Sequence, residues 1–170
     1  MKAIVCMTPD TGIGYRNSLP WRSKKEMAYF KEKTTGKGNN AVIMGYNTFR
    51  SLGFRPLPNR RNYIMTRDPE KKANYHGTDV IFESSVNNLL FLNFIFDEVY
   101  VIGGESIYEL FEPYLQHIYV TMINREYIVD TFFTIDLRKY HKKWLKNETD
   151  ENGIKLDFYC YQKAIAEDFL

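Results

Sequence analysis

Short uninterrupted apolar runs alternate with stretches of helical period along this chain. Residues 3–7 and 41–44 are apolar throughout, which suits strands covered on both faces in a largely parallel sheet. Residues 62–65, 80–82, 98–102 and 117–122 read as further buried strands, and Phe132-Phe133 as a short edge-like segment. Between them lie segments with a helical face. Ser23-Lys24-Lys25-Glu26 opens a short helix with Glu26, Met27 and Phe30 on one side, because residues three and four apart are neighbours on a helix surface. Residues 34–40 form a glycine- and lysine-rich turn after it. Gly45 opens a second helix reaching Leu52. Residues 84–94 carry a serine cap and an apolar face from Val86, Leu89 and Leu90, and a helix over 105–111 follows Gly103-Gly104. At the end of the chain, 144–148 and 156–163 flank Asp150-Glu151-Asn152-Gly153, and Asn-Gly is the strongest short hairpin signal. Roughly eight strands and four helices predict a three-layer α/β domain.

The richest stretch is 12–30, GIGYRNSLPWRSKKEMAYF. Gly12 and Gly14 let a ligand approach backbone that no Cβ shields. Pro20 fixes its own φ and holds Leu19 extended, halting the loop before the helix. Trp21 adds a flat surface with one N–H donor. Ser23 to Glu26 matches a capping box, so Glu26 reads first as a helix cap. Its place beside Met27 and Phe30 supports a second reading, a functional acid set against apolar side chains. Two later turns deliver glycine to a helix start, Gly45 before Tyr46-Asn47-Thr48 and Gly103-Gly104 before Glu105. Free N–H groups and the helix dipole suit both to an anion. The G-x-G-x-x-G fingerprint is missing, so a dinucleotide would not be held in the Rossmann manner. Arg55, Arg60 and Arg61 crowd a loop stiffened by Pro56 and Pro58, where a planar fork suits an acidic ligand. Thr66-Arg67 stands at the C-terminal end of a strand, where open α/β sheets bind ligands.

Composition narrows the partners. A chain of 170 residues fits one domain. Lys plus Arg is 23 against 21 Asp plus Glu, with no run of like charge to serve as a nucleic-acid or membrane tail, so the partner expected is a small molecule. The 13 Tyr and 12 Phe read as a core filled with rings. Cys6 and Cys160 lie in apolar segments, spaced neither for a metal nor for a secreted framework. The longest apolar run, 89–96, is far short of the roughly 20 residues of a membrane helix, and the opening MKAIVCMTPD is too brief for a signal peptide. A cytoplasmic protein is the expectation.

Taken in order, Gly12-Ile13-Gly14, Leu19-Pro20-Trp21, Glu26 and Phe30, Val42-Ile43-Met44-Gly45 with Thr48, Pro56-Leu57-Pro58 with Arg60, Ile102-Gly103-Gly104 with Tyr108, Thr121, and Asp130-Thr131 resemble the dihydrofolate reductases over nearly the whole length. The resemblance implies an eight-stranded mixed, mostly parallel sheet with an antiparallel C-terminal hairpin, and a cis link between Gly103 and Gly104. It implies hydride transfer from NADPH to C6 of dihydrofolate with a proton delivered to N5, feeding one-carbon metabolism, in a monomer that antifolate inhibitors would bind. Glu26 would be the only ionisable side chain in the pterin pocket, desolvated by Met27 and Phe30, with a raised pKa. Thr121 and Trp21 would hold Glu26 and its water, and Tyr108 would complete the catalytic set. Ile4, Val5, Phe30 and Leu52 would wall the substrate, with Leu57, Arg55 and Arg60 toward its glutamate tail. Arg60 matches the arginine that takes the α-carboxylate.

For the cofactor, the resemblance implies Cys6, Gly12, Ile13 and Gly14, with Asn17, Ser18 and Leu19 from a mobile loop that seals the site. It adds Gly45, Tyr46, Asn47 and Thr48, then Thr66 and Arg67. Ile102, Gly103 and Gly104, then Glu105, Ser106, Ile107 and Tyr108, would cradle nicotinamide and pyrophosphate, with Thr131 nearby. The chain departs from the family where a basic residue usually follows the strand-ending glycine: Tyr46 and Asn47 stand there, Ser106 replaces another basic position, and Arg67 alone remains to grip the 2′-phosphate. Two alternatives share the fold, a pyrimidine reductase of riboflavin synthesis and a non-catalytic ligand-binding module. Glu26 and Arg60 count against both.

Overall fold

The computed structural model describes residues 1–68, 70–73, 75–77 and 79–165. Its main sheet has eight strands in the order β5 (Val80–Glu83), β4 (Arg60–Met65), β3 (Asn40–Gly45), β6 (Val99–Val101), β1 (Lys2–Met7), β7 (His117–Ile123), β10 (Lys155–Lys163) and β9 (Tyr140–Thr149). The first six run parallel to one another, and β10 runs antiparallel to both of its neighbours. A separate ribbon pairs β2 (Gly12–Gly14) with β8 (Thr131–Phe132). The helices are α1 (Lys24–Thr35), α2 (Tyr46–Ser51), α3 (Glu70–Ala73), α4 (Val86–Leu90) and α5 (Glu105–Phe111).

Side-chain alternation along the strands divides the core into two layers. Val42 and Met44 of β3 join Ile4 and Ile64 beneath Phe49 of α2 and Phe30 of α1. Ala41 and Ile43, the intervening residues, face the other way and pack with Leu89 of α4 and Tyr108 and Phe111 of α5. Strands fully covered in this way need no polar alternation, which is why the parallel strands read as continuous apolar runs. A third group, Trp21 with Ile123, Ile154, Leu156 and Phe158, seats the entry to α1 on the C-terminal hairpin. The hairpin turn strengthens that seat. The Asp150 carboxylate accepts N–H bonds from Asn152 and Ile154, both at 2.9 Å, and the Asn152 side chain donates to the Arg22 carbonyl at 2.9 Å.

Several boundaries differ from the sequence reading. Helix α1 continues to Thr35, because Thr34 and Thr35 complete the last turn before Gly36 ends it. The segment expected as one helix over 84–94 is α4 followed by a 3₁₀ turn at Phe91–Phe94, and no serine side chain caps it. The Glu83 carboxylate instead takes the N–H groups of Ser84 and Ser85, both at 3.0 Å. Strand β9 begins at Tyr140 and is exposed along most of its length. Lysines suit such an edge strand and hide its period.

Candidate functional site

A cavity of about 1440 Å³ opens along the carboxyl ends of the parallel strands, lined by Cys6 near the end of β1, Gly45 closing β3, Thr66 after β4 and Ile102 after β6. One drug-sized ligand occupies roughly 300–1,000 Å³. The cavity therefore has room for two ligands side by side.

The acid end is built on α1. Ser23 is extended and its hydroxyl accepts the Glu26 N–H at 3.3 Å, so Ser23 caps the helix. Among the described hydrogen bonds the Glu26 carboxylate does not return to Ser23. It lines the cavity instead, and only 8% of the residue is exposed. Burial raises its pKa from 4.5 to about 7, and among the described residues no cation pairs with it. Ile4, Val5, Phe30, Leu52 and Leu57 line the same wall. Met27 differs from its expected role: it stands at the rim, 55% exposed, and so contributes little to desolvating Glu26.

Trp21 and Thr121 sit behind this wall, buried and off the cavity lining. The indole N–H of Trp21 is buried with no acceptor among the described residues. A buried donor of this kind costs about 1–3 kcal/mol unless a water or ligand satisfies it. Thr121 stands opposite Cys6 in the β1–β7 register, and no described hydrogen bond joins it to Glu26. Tyr108 donates its hydroxyl to the Ile4 carbonyl at 2.7 Å, tying α5 to β1 at the middle of the cavity. Its phenol pKa is pushed far up by burial, so it remains a donor.

Arg60 is fixed at the outer edge of this end. Its Nε donates to the Pro58 carbonyl and its Nη1 to the Thr34 hydroxyl, both at 2.9 Å. Among the described residues, Nη2 and one N–H of Nη1 have no partner and remain for a ligand. Arg55, expected beside it, is exposed and outside the lining, turned back over Gly53.

At the other end, the Gly103–Gly104 peptide is cis, and Gly103 has φ +109°, a region that favours glycine. The Gly45 N–H donates to the Gly103 carbonyl at 2.9 Å. A Cβ at Gly45 would stand 2.9 Å from Ile107, so backbone packs on side chain and the lining at this point is main chain. Gly104, Glu105, Ser106 and Ile107 border it on one side, with Tyr46, Asn47 and Thr48 on the other. Thr66 and Arg67 close the far end. Ile13, Gly14, Asn17, Ser18 and Leu19 overhang the cavity together with Thr131.

That overhang turns at Arg16 and Asn17, both at positive φ, with Tyr15 and Ser18 exchanging backbone bonds. Asp130 accepts the Arg16 N–H at 3.0 Å and holds the turn to β8. Gly12 corrects the expectation that it faces a ligand. A Cβ there would lie 2.6 Å from Val129 and 2.8 Å from the Thr8 hydroxyl, so the glycine answers a close approach within the protein. Gly103 likewise lies off the lining, under the Tyr108 ring. Lys31, Lys71 and Ser84 line the cavity as well, and the sequence reading omitted them. Lys31 is one helical turn beyond Met27, so its side was predictable from the period of α1.

Residues 1–163 match the family model for dihydrofolate reductase. The chain is 39% identical over 165 residues to the dihydrofolate reductase of Staphylococcus haemolyticus, covering 94% of this chain and 93% of that one. To the dihydrofolate reductase of Candida albicans it is 40% identical over 181 residues, covering 95% and 93%. A solved dihydrofolate reductase from Enterococcus faecalis, complexed with NADP(H) and RAB-propyl, superposes with a TM-score of 0.85 at 28% identity over 96% of both chains. Fold, cavity and sequence agree: this chain belongs to the dihydrofolate reductase family.

Proposed function

We propose that this chain reduces 7,8-dihydrofolate to tetrahydrofolate with NADPH, acting as a single-domain monomer in the cytoplasm and supplying one-carbon metabolism. The observation that carries the reading is Glu26, a buried carboxyl with a pKa near neutrality at one end of a two-ligand cavity. A group poised at about 7 exchanges protons readily at physiological pH.

The residues fit the cofactor. Main chain at Gly45 and Gly104, free of side-chain bulk, lets a flat ring lie close, and Arg67 supplies charge where β4 ends. When bound, NADPH supplies the hydride for C6. The protein supplies placement, water exclusion and the proton. Glu26 accepts hydrogen bonds from the pterin's amino and ring N–H groups, and the unpartnered Trp21 N–H suits a water beside it. That water carries the proton to N5. Tyr108, bonded to Ile4, keeps the nicotinamide end in register with the pterin end. Arg60 offers its remaining N–H groups to the α-carboxylate of the glutamate tail, and Leu19, 56% exposed on its overhang, lies where a covering loop would shut water out. The same pocket would take antifolate inhibitors. No described helix is long and apolar enough to cross a membrane.

Following NADPH absorbance with and without dihydrofolate tests the reading directly. Oxidation that depends on dihydrofolate is expected, and NADPH consumption indifferent to it would overturn the assignment. Gel filtration at working concentration checks the monomer.

A further inference from the structure

Resting on that reading, we propose that Lys71, steered by the Tyr46 ring, acts with Arg67 as a second cation for the 2′-phosphate and so sets the preference for NADPH over NADH. Lys71 lies in α3 and lines the end of the cavity that Thr66, Arg67 and Ser84 close. Its Nζ stands over the Tyr46 ring, 4.5 Å from the centroid, well within the roughly 6 Å reach of a cation–π contact. The ring is itself braced: Phe54 packs against it at 5.9 Å and 56°. A long, flexible ammonium is thereby held toward the cavity.

Two of the nearby acids accept hydrogen bonds from the protein. Glu83 accepts N–H bonds from Ser84 and Ser85 and the Asn88 side-chain amide, and Asp68 accepts the Glu70 N–H at 3.0 Å. Among the described residues neither Lys71 nor Arg67 forms an ion pair. Arg67, Lys71 and Ser84 line this part of the cavity together with Asp68, so two cations stand there against one carboxylate. A phosphate monoester, with a charge of about −1.5 to −2 and three acceptor oxygens, meets that arrangement; a ribose hydroxyl does not.

Calorimetric titration decides the point, using NADPH against NADH and adenosine 2′,5′-bisphosphate against adenosine 5′-monophosphate. Lys71→Gln should weaken NADPH and the bisphosphate roughly tenfold, the scale of one charge-assisted contact, and leave NADH and the monophosphate unmoved. Lys71→Arg should restore most of the loss. Tyr46→Leu should reproduce part of it while Tyr46→Phe does not, because phenylalanine keeps the ring face. NADPH binding that ignores Lys71→Gln, or an equal loss for NADPH and NADH, overturns the inference and leaves the reductase reading standing. A wild type that binds neither dinucleotide sinks both.

Discussion

Burial holds the Glu26 carboxyl at about 7, and the same fact makes opposite demands on activity and stability. Glu26→Gln keeps the shape and the helix but loses the proton relay, so turnover should fall by about two orders of magnitude at neutral pH. Steady-state rates on dihydrofolate measure this, and near wild-type turnover would reduce Glu26 to a helix residue. Stability should move the other way. Because the folded pKa lies above the ordinary 4.5, the native state holds more protons than the unfolded one between these values, and stability drops as pH rises through that window. A shift of this size corresponds to about 3 kcal/mol. Glu26→Gln removes the titration, so the variant should gain on wild type between pH 4.5 and 8 in denaturant unfolding; a pH-independent difference would refute the cause given. Arg60 shows a different logic. Arg60→Lys keeps the charge but loses the planar fork and the bonds to Pro58 and Thr34. KM for dihydrofolate should rise about tenfold with kcat little changed, while a pterin without the glutamate tail is unaffected.

At the scale of elements, the start of α1 is held from a distance in sequence. Asp150 organises the hairpin turn, Asn152 bonds to Arg22, and Glu151 accepts the Lys24 N–H. Asp150→Ala would strand two turn N–H groups that the carboxylate now satisfies, costing about 1–3 kcal/mol. Because α1 carries Glu26, kcat should fall several-fold as well, with the Glu26 pKa read from the pH–rate profile drifting downward as water reaches the pocket. A stability loss with an unchanged profile would show that the turn does not govern the acid. These ties also explain what could be read from sequence. The parallel strands announced themselves because both faces are covered, and Ser23, Gly45 and Gly103-Gly104 marked helix starts through local chemistry. Phe132-Phe133 was legible as a short edge-like segment, but its partner β2 escaped, because Gly-Ile-Gly has no alternating pattern and pairs with residues more than a hundred positions away. Gly12 was misread for a related reason: glycine reports that something comes close, and only the fold says whether that is a ligand or Val129. Arg55 and Arg60 look alike in the loop, yet Thr34 of α1 anchors only Arg60.

For the whole molecule, both ends of the cavity share one sheet, so a ligand at either end should stabilise the entire fold. With NADPH at a hundred times its Kd the gain is about 2.7 kcal/mol. For a chain of this length each kcal/mol moves Tm by roughly 2–4 °C, so an upward shift of about 5–10 °C is expected. Arg67, two residues beyond β4, is exposed and without an ion pair among the described residues, free to meet a phosphate dianion. Losing one charge-assisted contact weakens binding about ten- to a hundredfold. At the same NADPH concentration Arg67→Ala should therefore forfeit half or more of the thermal shift, while the smaller shift given by NADH stays as it was. Salt supplies an independent check, since raising it from low to about 1 M shortens the Debye length to about 3 Å. The NADPH shift of wild type should then shrink toward that of Arg67→Ala, and the NADH shifts should not converge further. If Arg67→Ala lowers both cofactors' shifts equally, the arginine supports the end of β4 structurally and the 2′-phosphate is not its partner.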